Sequence, residues 1–147
     1  MSSNQPTAPA LAAALPHPLP EDTNARLFLF AFRRMGAHGL NDAFAAHALL
    51  EGFGAGFRRP LTLLRAMMAD LAGGAKCSIA IAPCCCRRTT HAEHALLTIV
   101  TRAEIAPDSA RLLLSDLIGL RSPDGILASI CIVAQAFADA GRPITAE

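Results

Sequence analysis

The chain contains no tryptophan and no tyrosine, and its aromatic content is seven phenylalanines. A surface that reads single-stranded nucleic acid or sugars by ring stacking is therefore not expected. Lysine is nearly missing: Lys76 is the only one, and arginine carries the rest of the positive charge. Charged residues are 17% of the chain and the net charge is +1, which predicts no strong nonspecific attraction to nucleic acid. Long apolar runs are absent too. Residues 27–32 (LFLFAF) and 125–138 (GILASICIVAQAFA) fall short of the ~20 residues a membrane span needs. Asp116, Arg121 and Asp124 bar a backward extension of the second. No Lys or Arg precedes APALAAALP, and proline breaks that stretch, so a secretory signal is not expected. Cys-x-x-Cys, Cys-x-x-Cys-His and Cys-x5-Arg are all missing, which argues against a thioredoxin-type pair, c-type haem attachment and a cysteine phosphatase. An odd set of five cysteines, three of them contiguous, fits a reducing compartment, so a cytoplasmic protein is expected.

What is present is apolar side chain, at 52% of 147 residues. A chain of this length forms one domain and can bury ~70% of its unfolded surface without disulfides or metal. The charge is unevenly spread. Residues 33–88 carry eight basic residues against Asp42, Glu51 and Asp70, whereas residues 89–147 are net acidic. The positive middle is expected to pair with the C-terminal half, with an anionic partner as the alternative.

Five of the ten prolines lie in residues 1–20, which predicts a mobile Pro/Ala-rich tail before a helical domain over residues 21–142. The first helix is expected to start at Asp22 or Thr23 and stop at Gly36; the second follows Asn41 as N-cap and ends by Gly52. Phe57, Leu61, Leu64, Met68 and Leu71 form one apolar stripe, so a third helix follows, with Pro60 in its first turn and the small-residue run 72–75 at its end. Residues 77–83 (CSIAIAP) are the one strand candidate. They lack a visible partner strand, so an extended buried segment or pairing across a dimer is the alternative. Thr90-x-x-Glu93 is a capping box that starts a fourth helix at His91. A fifth runs from Pro107 to Gly119, and a sixth from Ser122 as cap and Pro123 to Gly141, with Ile126, Ile130, Val133 and Phe137 inward. The expected fold is all-α or nearly so: a single-domain bundle of about five to six helices with one short extended segment.

Chemistry concentrates in residues 81–94, IAPCCCRRTTHAEH. Cys84, Cys85 and Cys86 precede a helix N-terminus and are followed by two arginines, and both features favour thiolate. His91 and His94 lie at i and i+3 on the new helix. Cys84, Cys85, Cys86, His91 and His94 are thus candidate ligands for zinc or another soft transition metal. The spacing is a poor fit, because adjacent residues point in different directions. The plainer reading is three small residues leading the chain into the core and two first-turn histidines. In GFGAGFRRP, the glycines with Arg58 and Arg59 are a candidate anion site, although the spacing matches no phosphate-loop pattern and a plain helix–helix turn is the preferred reading. His47 is expected to be partly buried and His38 to sit in a turn. No triad or acid/base carboxylate pair is visible, so no catalytic residue is assigned.

The segments FRRMGAHGLNDAFAAHALLEGFGAGFRRPLTLLRAMMADL and IAPCCCRRTT resemble a small family of uncharacterised bacterial proteins, a domain of unknown function with an Ala-Pro-Cys-Cys-Cys motif. The resemblance covers about residues 26–140. It implies a bacterial single-domain protein and brings no activity, cofactor or catalytic residue. The functional expectation is a small cytoplasmic helical protein without enzymatic activity that binds a protein partner or its own copies, as an accessory subunit. The alternative is a thiol-based metal-binding or redox-sensing protein using Cys84–Cys86. An enzyme for a small anionic substrate held by Arg58 and Arg59 is a third reading.

Overall fold

The computed structural model describes residues 15–145. The predicted tail falls mostly on residues 1–14, outside the described residues. Six α-helices run through the described part: α1 (Thr23–His38), α2 (Ala43–Phe53), α3 (Arg58–Gly74), α4 (His91–Arg102), α5 (Pro107–Ile118) and α6 (Asp124–Asp139). A 3₁₀ turn (Gly54–Phe57) joins α2 to α3, and two-residue strands β1 (His17–Pro18) and β2 (Arg88–Thr89) form a small antiparallel ladder. The all-α expectation holds, and no described helix is long and apolar enough to cross a membrane.

Asp22 caps α1 by accepting a hydrogen bond from the Ala25 amide at 2.9 Å. The helix does not stop at Gly36. It continues one half-turn to Gly39, whose φ of 105° suits glycine. A Cβ at Gly36 would meet the Ile81 side chain, which lies against the helix. Gly36→Ala tests how firmly that side chain is held. Helix propensity alone predicts a gain of about 1 kcal/mol, whereas overpacking against Ile81 predicts a loss of about 1–3 kcal/mol. The atom met is the terminal methyl of the half-buried Ile81, which borders a cavity of about 240 Å³ and can give way, so we expect a urea midpoint at or above the parent's; a lower one would mean that Ile81 is held rigidly.

Asp42, not Asn41, caps α2, because its Oδ2 reaches the Ala45 amide at 2.9 Å. Pro60 is buried in the first turn of α3. The capping box of α4 is complete, with the Thr90 hydroxyl and Glu93 carboxylate each holding the other's backbone amide. Pro107 opens α5 and left-handed Gly119 closes it. Ser122 does not cap α6: Pro123 takes the capping position, with no side-chain hydrogen bond.

The apolar stripes meet as the periodicity predicts. Helix α3 packs on α6, α4 on α5, and α1 on α2. Leu61, Leu64, Met68 and Leu71 are buried together with Ile126, Ile130, Val133 and Phe137. Residues 77–83 form neither a strand nor a helix. Side chains satisfy part of their backbone: the Thr90 hydroxyl donates to Ala80 O, and Ala82 N donates to Glu93. The ladder lies elsewhere, where residues 15–20 cross β2 and Leu19 N donates to Arg87 O.

Candidate functional site

A buried ion pair fixes the cysteine-bearing segment. Arg33 and Glu93 are 2% and 0% exposed, and the guanidinium meets both carboxylate oxygens at 2.7 and 3.0 Å. Two further Arg33 N–H groups donate to Cys86 O and Arg88 O, each at 2.8 Å. Glu93 also accepts from Thr90 N and Ala82 N. A charge at this depth is tolerated only when paired and fully hydrogen-bonded. One arginine from α1 and one glutamate from α4 therefore hold residues 82–90 as a fixed loop between them. Arg33 lies on the buried stripe of α1, four residues after Leu29, and that position is the signal by which the sequence could have revealed it.

On the loop, Cys86 N donates to Pro83 O and closes a tight turn. Its two central residues are Cys84, half-buried, and Cys85, exposed, and their sulfurs lie 3.4 Å apart. Arg34, next to Arg33 but on the other side of α1, stands beside this turn. It binds Asp42 in a bidentate pair at 2.9 and 3.0 Å and lies over the Phe44 ring at 4.6 Å. The Cys85 hydrogen bond, and then the Arg34 guanidinium, lower the Cys84 pKa; the neighbouring Cys84 raises that of Cys85. The two thiols are thus made unequal, with Cys84 the better nucleophile. Arg34 in turn holds the Asp42 carboxyl down at about 2, so the pair persists at all pH values above the ordinary carboxylate range and is lost only as pH falls toward 2.

The histidines do not join the cysteines. The His94 ring stacks on His17 of β1 with centroids 3.7 Å apart and planes 9° from parallel, and His91 lies 5.6 Å from the same ring. Parallel rings aim their in-plane nitrogens side by side, not at a common centre. Among the described residues no group of three or more His, Cys, Asp or Glu side chains is placed to hold a metal ion. The candidate set Cys84, Cys85, Cys86, His91 and His94 is divided: two sulfurs meet each other, Cys86 contributes its carbonyl to Arg33, and the imidazoles clasp β1. His17 was not visible as a partner because it lies 74 residues before His91 in a proline-rich stretch. Burial, followed by the two neighbouring histidines, lowers the His94 pKa.

Arg59 pairs with Asp139 of α6 at 3.2 Å, and Arg58 is an exposed residue at the start of α3. With Arg33–Glu93, this is the pairing of the positive middle with the acidic C-terminal half that the charge distribution predicted. His47 is exposed, 2.9 Å from Glu51, because α2 buries only Ala45 and Leu49. Cys131 is half-buried near Ala103 O, and burial raises its pKa.

No curated protein and no solved structure matches the chain. A family model does, over residues 9–116, which span β1, the buried ion pair and the cysteine turn but stop short of α6. With nearly three quarters of its length matched, the chain belongs to the family of unknown function DUF6628.

Proposed function

We propose that this protein is a small, non-enzymatic cytoplasmic sensor of oxidants, and that Cys84 and Cys85 are its responsive pair. The observation that carries the reading is the 3.4 Å contact between the two sulfurs on a turn flanked by Arg34. The Cys84 thiolate attacks the terminal oxygen of a hydroperoxide; the O–O bond breaks, an alcohol or water leaves, and Cys84 becomes a sulfenic acid. The Cys85 thiol then attacks that sulfur, the S–S bond forms and water leaves. Adjacent Cα atoms lie ~3.8 Å apart, closer than the ~4.4–6.8 Å of ordinary disulfides. Such a bond is strained and readily reduced by cellular thiols, which suits a reversible signal better than a structural staple.

Cys131 is an internal control, because burial pushes its thiol up. Timed alkylation at neutral pH with peptide mapping is expected to label Cys84 before Cys131. Stoichiometric hydrogen peroxide is expected to remove the Cys84 and Cys85 thiols together, with loss of two hydrogens and full return under dithiothreitol. Cys85→Ser is expected to halt oxidation at the Cys84 sulfenic acid. Equal labelling of Cys84 and Cys131, or a peroxide-treated pair that stays reduced, would defeat the proposal.

A further inference from the structure

Residues 18–20, a short strap, line a half-open cavity of about 560 Å³ to which the cysteine turn contributes no residue. This volume falls within the ~300–1,000 Å³ typical of small-molecule sites. Pro18, Leu19 and Pro20 line it together with Ala25 of α1 and Leu97 of α4. The strap is held in place by the β1–β2 ladder, by Arg88 donating to Leu15 O and Pro16 O, and by the His17–His94 stack.

The polar groups of the cavity define what it can take. Thr89, Thr98 and Thr101 line it, and each hydroxyl proton is already given to a backbone carbonyl: His17 O, His94 O and Thr98 O respectively. A hydroxyl whose proton is spent still offers oxygen lone pairs, so this row accepts hydrogen bonds from a ligand donor. His94, stacked on His17, and Thr145 also line the cavity, together with two charged residues, Glu21 at the end of the strap and Arg102 in the last turn of α4. Both charged residues are exposed, and among the described residues neither is in an ion pair. Arg102 gives Nη1 to Ser109 and keeps other donors in hand. The cavity thus combines a carboxylate with a row of acceptors, a guanidinium, and an apolar wall.

We propose that this cavity binds a small amphipathic zwitterion of the apolar amino-acid class, with its ammonium on Glu21 and the threonine oxygens, its carboxylate on Arg102, and its hydrocarbon body against Leu19 and Leu97. A simple acid leaves Glu21 and the acceptor row unanswered, and a simple amine leaves Arg102 unanswered. The site is independent of the dithiol and stands or falls separately.

Calorimetric titration of the full-length protein with phenylalanine, phenethylamine and 3-phenylpropionate tests the assignment. Phenylalanine is expected to saturate one site, with each single-charge analogue about tenfold weaker or more, a difference of about 1.4 kcal/mol. Glu21→Gln is expected to weaken phenylalanine but not 3-phenylpropionate, and Arg102→Met to weaken phenylalanine but not phenethylamine. Both positions are exposed, so the variants are expected to fold, with far-ultraviolet circular dichroism as the check. In NMR, Thr98 and Thr101 are expected to shift on phenylalanine addition. No saturable binding in the millimolar range, an analogue that equals phenylalanine, or binding that leaves Thr98 and Thr101 unmoved would each overturn the proposal.

Discussion

Glu93→Gln is expected to destabilise the protein by about 3–5 kcal/mol, because it strips a buried cation of its counter-charge. The substitution keeps the side-chain shape and removes only the charge and one acceptor. Arg33, 2% exposed, then retains the Cys86 and Arg88 carbonyls and one neutral amide oxygen, with no counter-charge. The new amide group also turns donor hydrogens toward a site where Arg33, Thr90 N and Ala82 N all donate. Against a total stability of about 5–15 kcal/mol for a domain, such a loss is a large fraction. In a thermal melt it corresponds to a fall of about 10–20 °C. The double variant Arg33→Met/Glu93→Leu separates the worth of the pair from the cost of orphaning one member. It is expected to recover only part of the stability: a buried ion pair roughly breaks even against apolar residues of similar volume, but the backbone groups that the pair served are left without partners. The same double variant is expected to lose order in residues 82–90, because the Cys86 and Arg88 carbonyls and the Ala82 amide have no partner left, and amide exchange there reads it out. A Glu93→Gln protein within 1 kcal/mol of the parent would show that the carboxylate is not the counter-charge of Arg33.

This ion pair also marks where the sequence stopped being legible. Helix positions were readable because each stripe repeats once per turn and each end carries a local signal: Asp22, the Thr90–Glu93 box, Pro107 and Gly119 all act where the pattern puts them. The misplaced ends have tertiary causes. Gly36 reads as a stop, yet the helix runs past it and the Ile81 side chain lies against it. Ser122 reads as a cap, yet Pro123 holds that place. Residues 77–83 have strand character, but their carbonyl and amide partners are the side chains of Thr90 and Glu93, which no backbone pattern announces. Within the candidate site, the cysteines and histidines were visible as residues and not as a geometry. The sulfur pair depends on a Pro83–Cys86 turn, and that turn depends on Arg33, 53 residues away from Cys86 in the chain. His91 and His94 read as companions of the cysteines because they are near in sequence, whereas the fold gives them to His17. Long-range polar partners carry no periodicity, so they stay invisible until the helices have been placed.

Phe137→Ala is expected to cost about 3–5 kcal/mol, as large as the loss of the ion pair but for a wholly apolar reason. The ring is fully buried on α6 and meets Phe53 edge-on at 4.9 Å and Phe28 at 6.2 Å, so one side chain ties α6 to both α2 and α1. Removing it forfeits the transfer energy of the ring, two edge-to-face contacts worth about 0.5–1.5 kcal/mol each, and the packing around whatever cavity remains. Three helices cannot close on that gap at once, because α6 is also fixed through α3 by Ile126, Ile130 and Val133. Phe44→Ala provides the matched comparison. The same ring is deleted, but it is 65% exposed, and its one notable contact is the Arg34 guanidinium over its face. A cation–π contact at an exposed site is worth about 0.5–1 kcal/mol, and little transfer energy is at stake. Urea denaturation of the two variants beside the parent should therefore give midpoints that differ several-fold in displacement, with unchanged slopes. Similar displacements for the two would mean that Phe137 is not the junction of the three helices, and the proposed interior of the bundle would have to be redrawn.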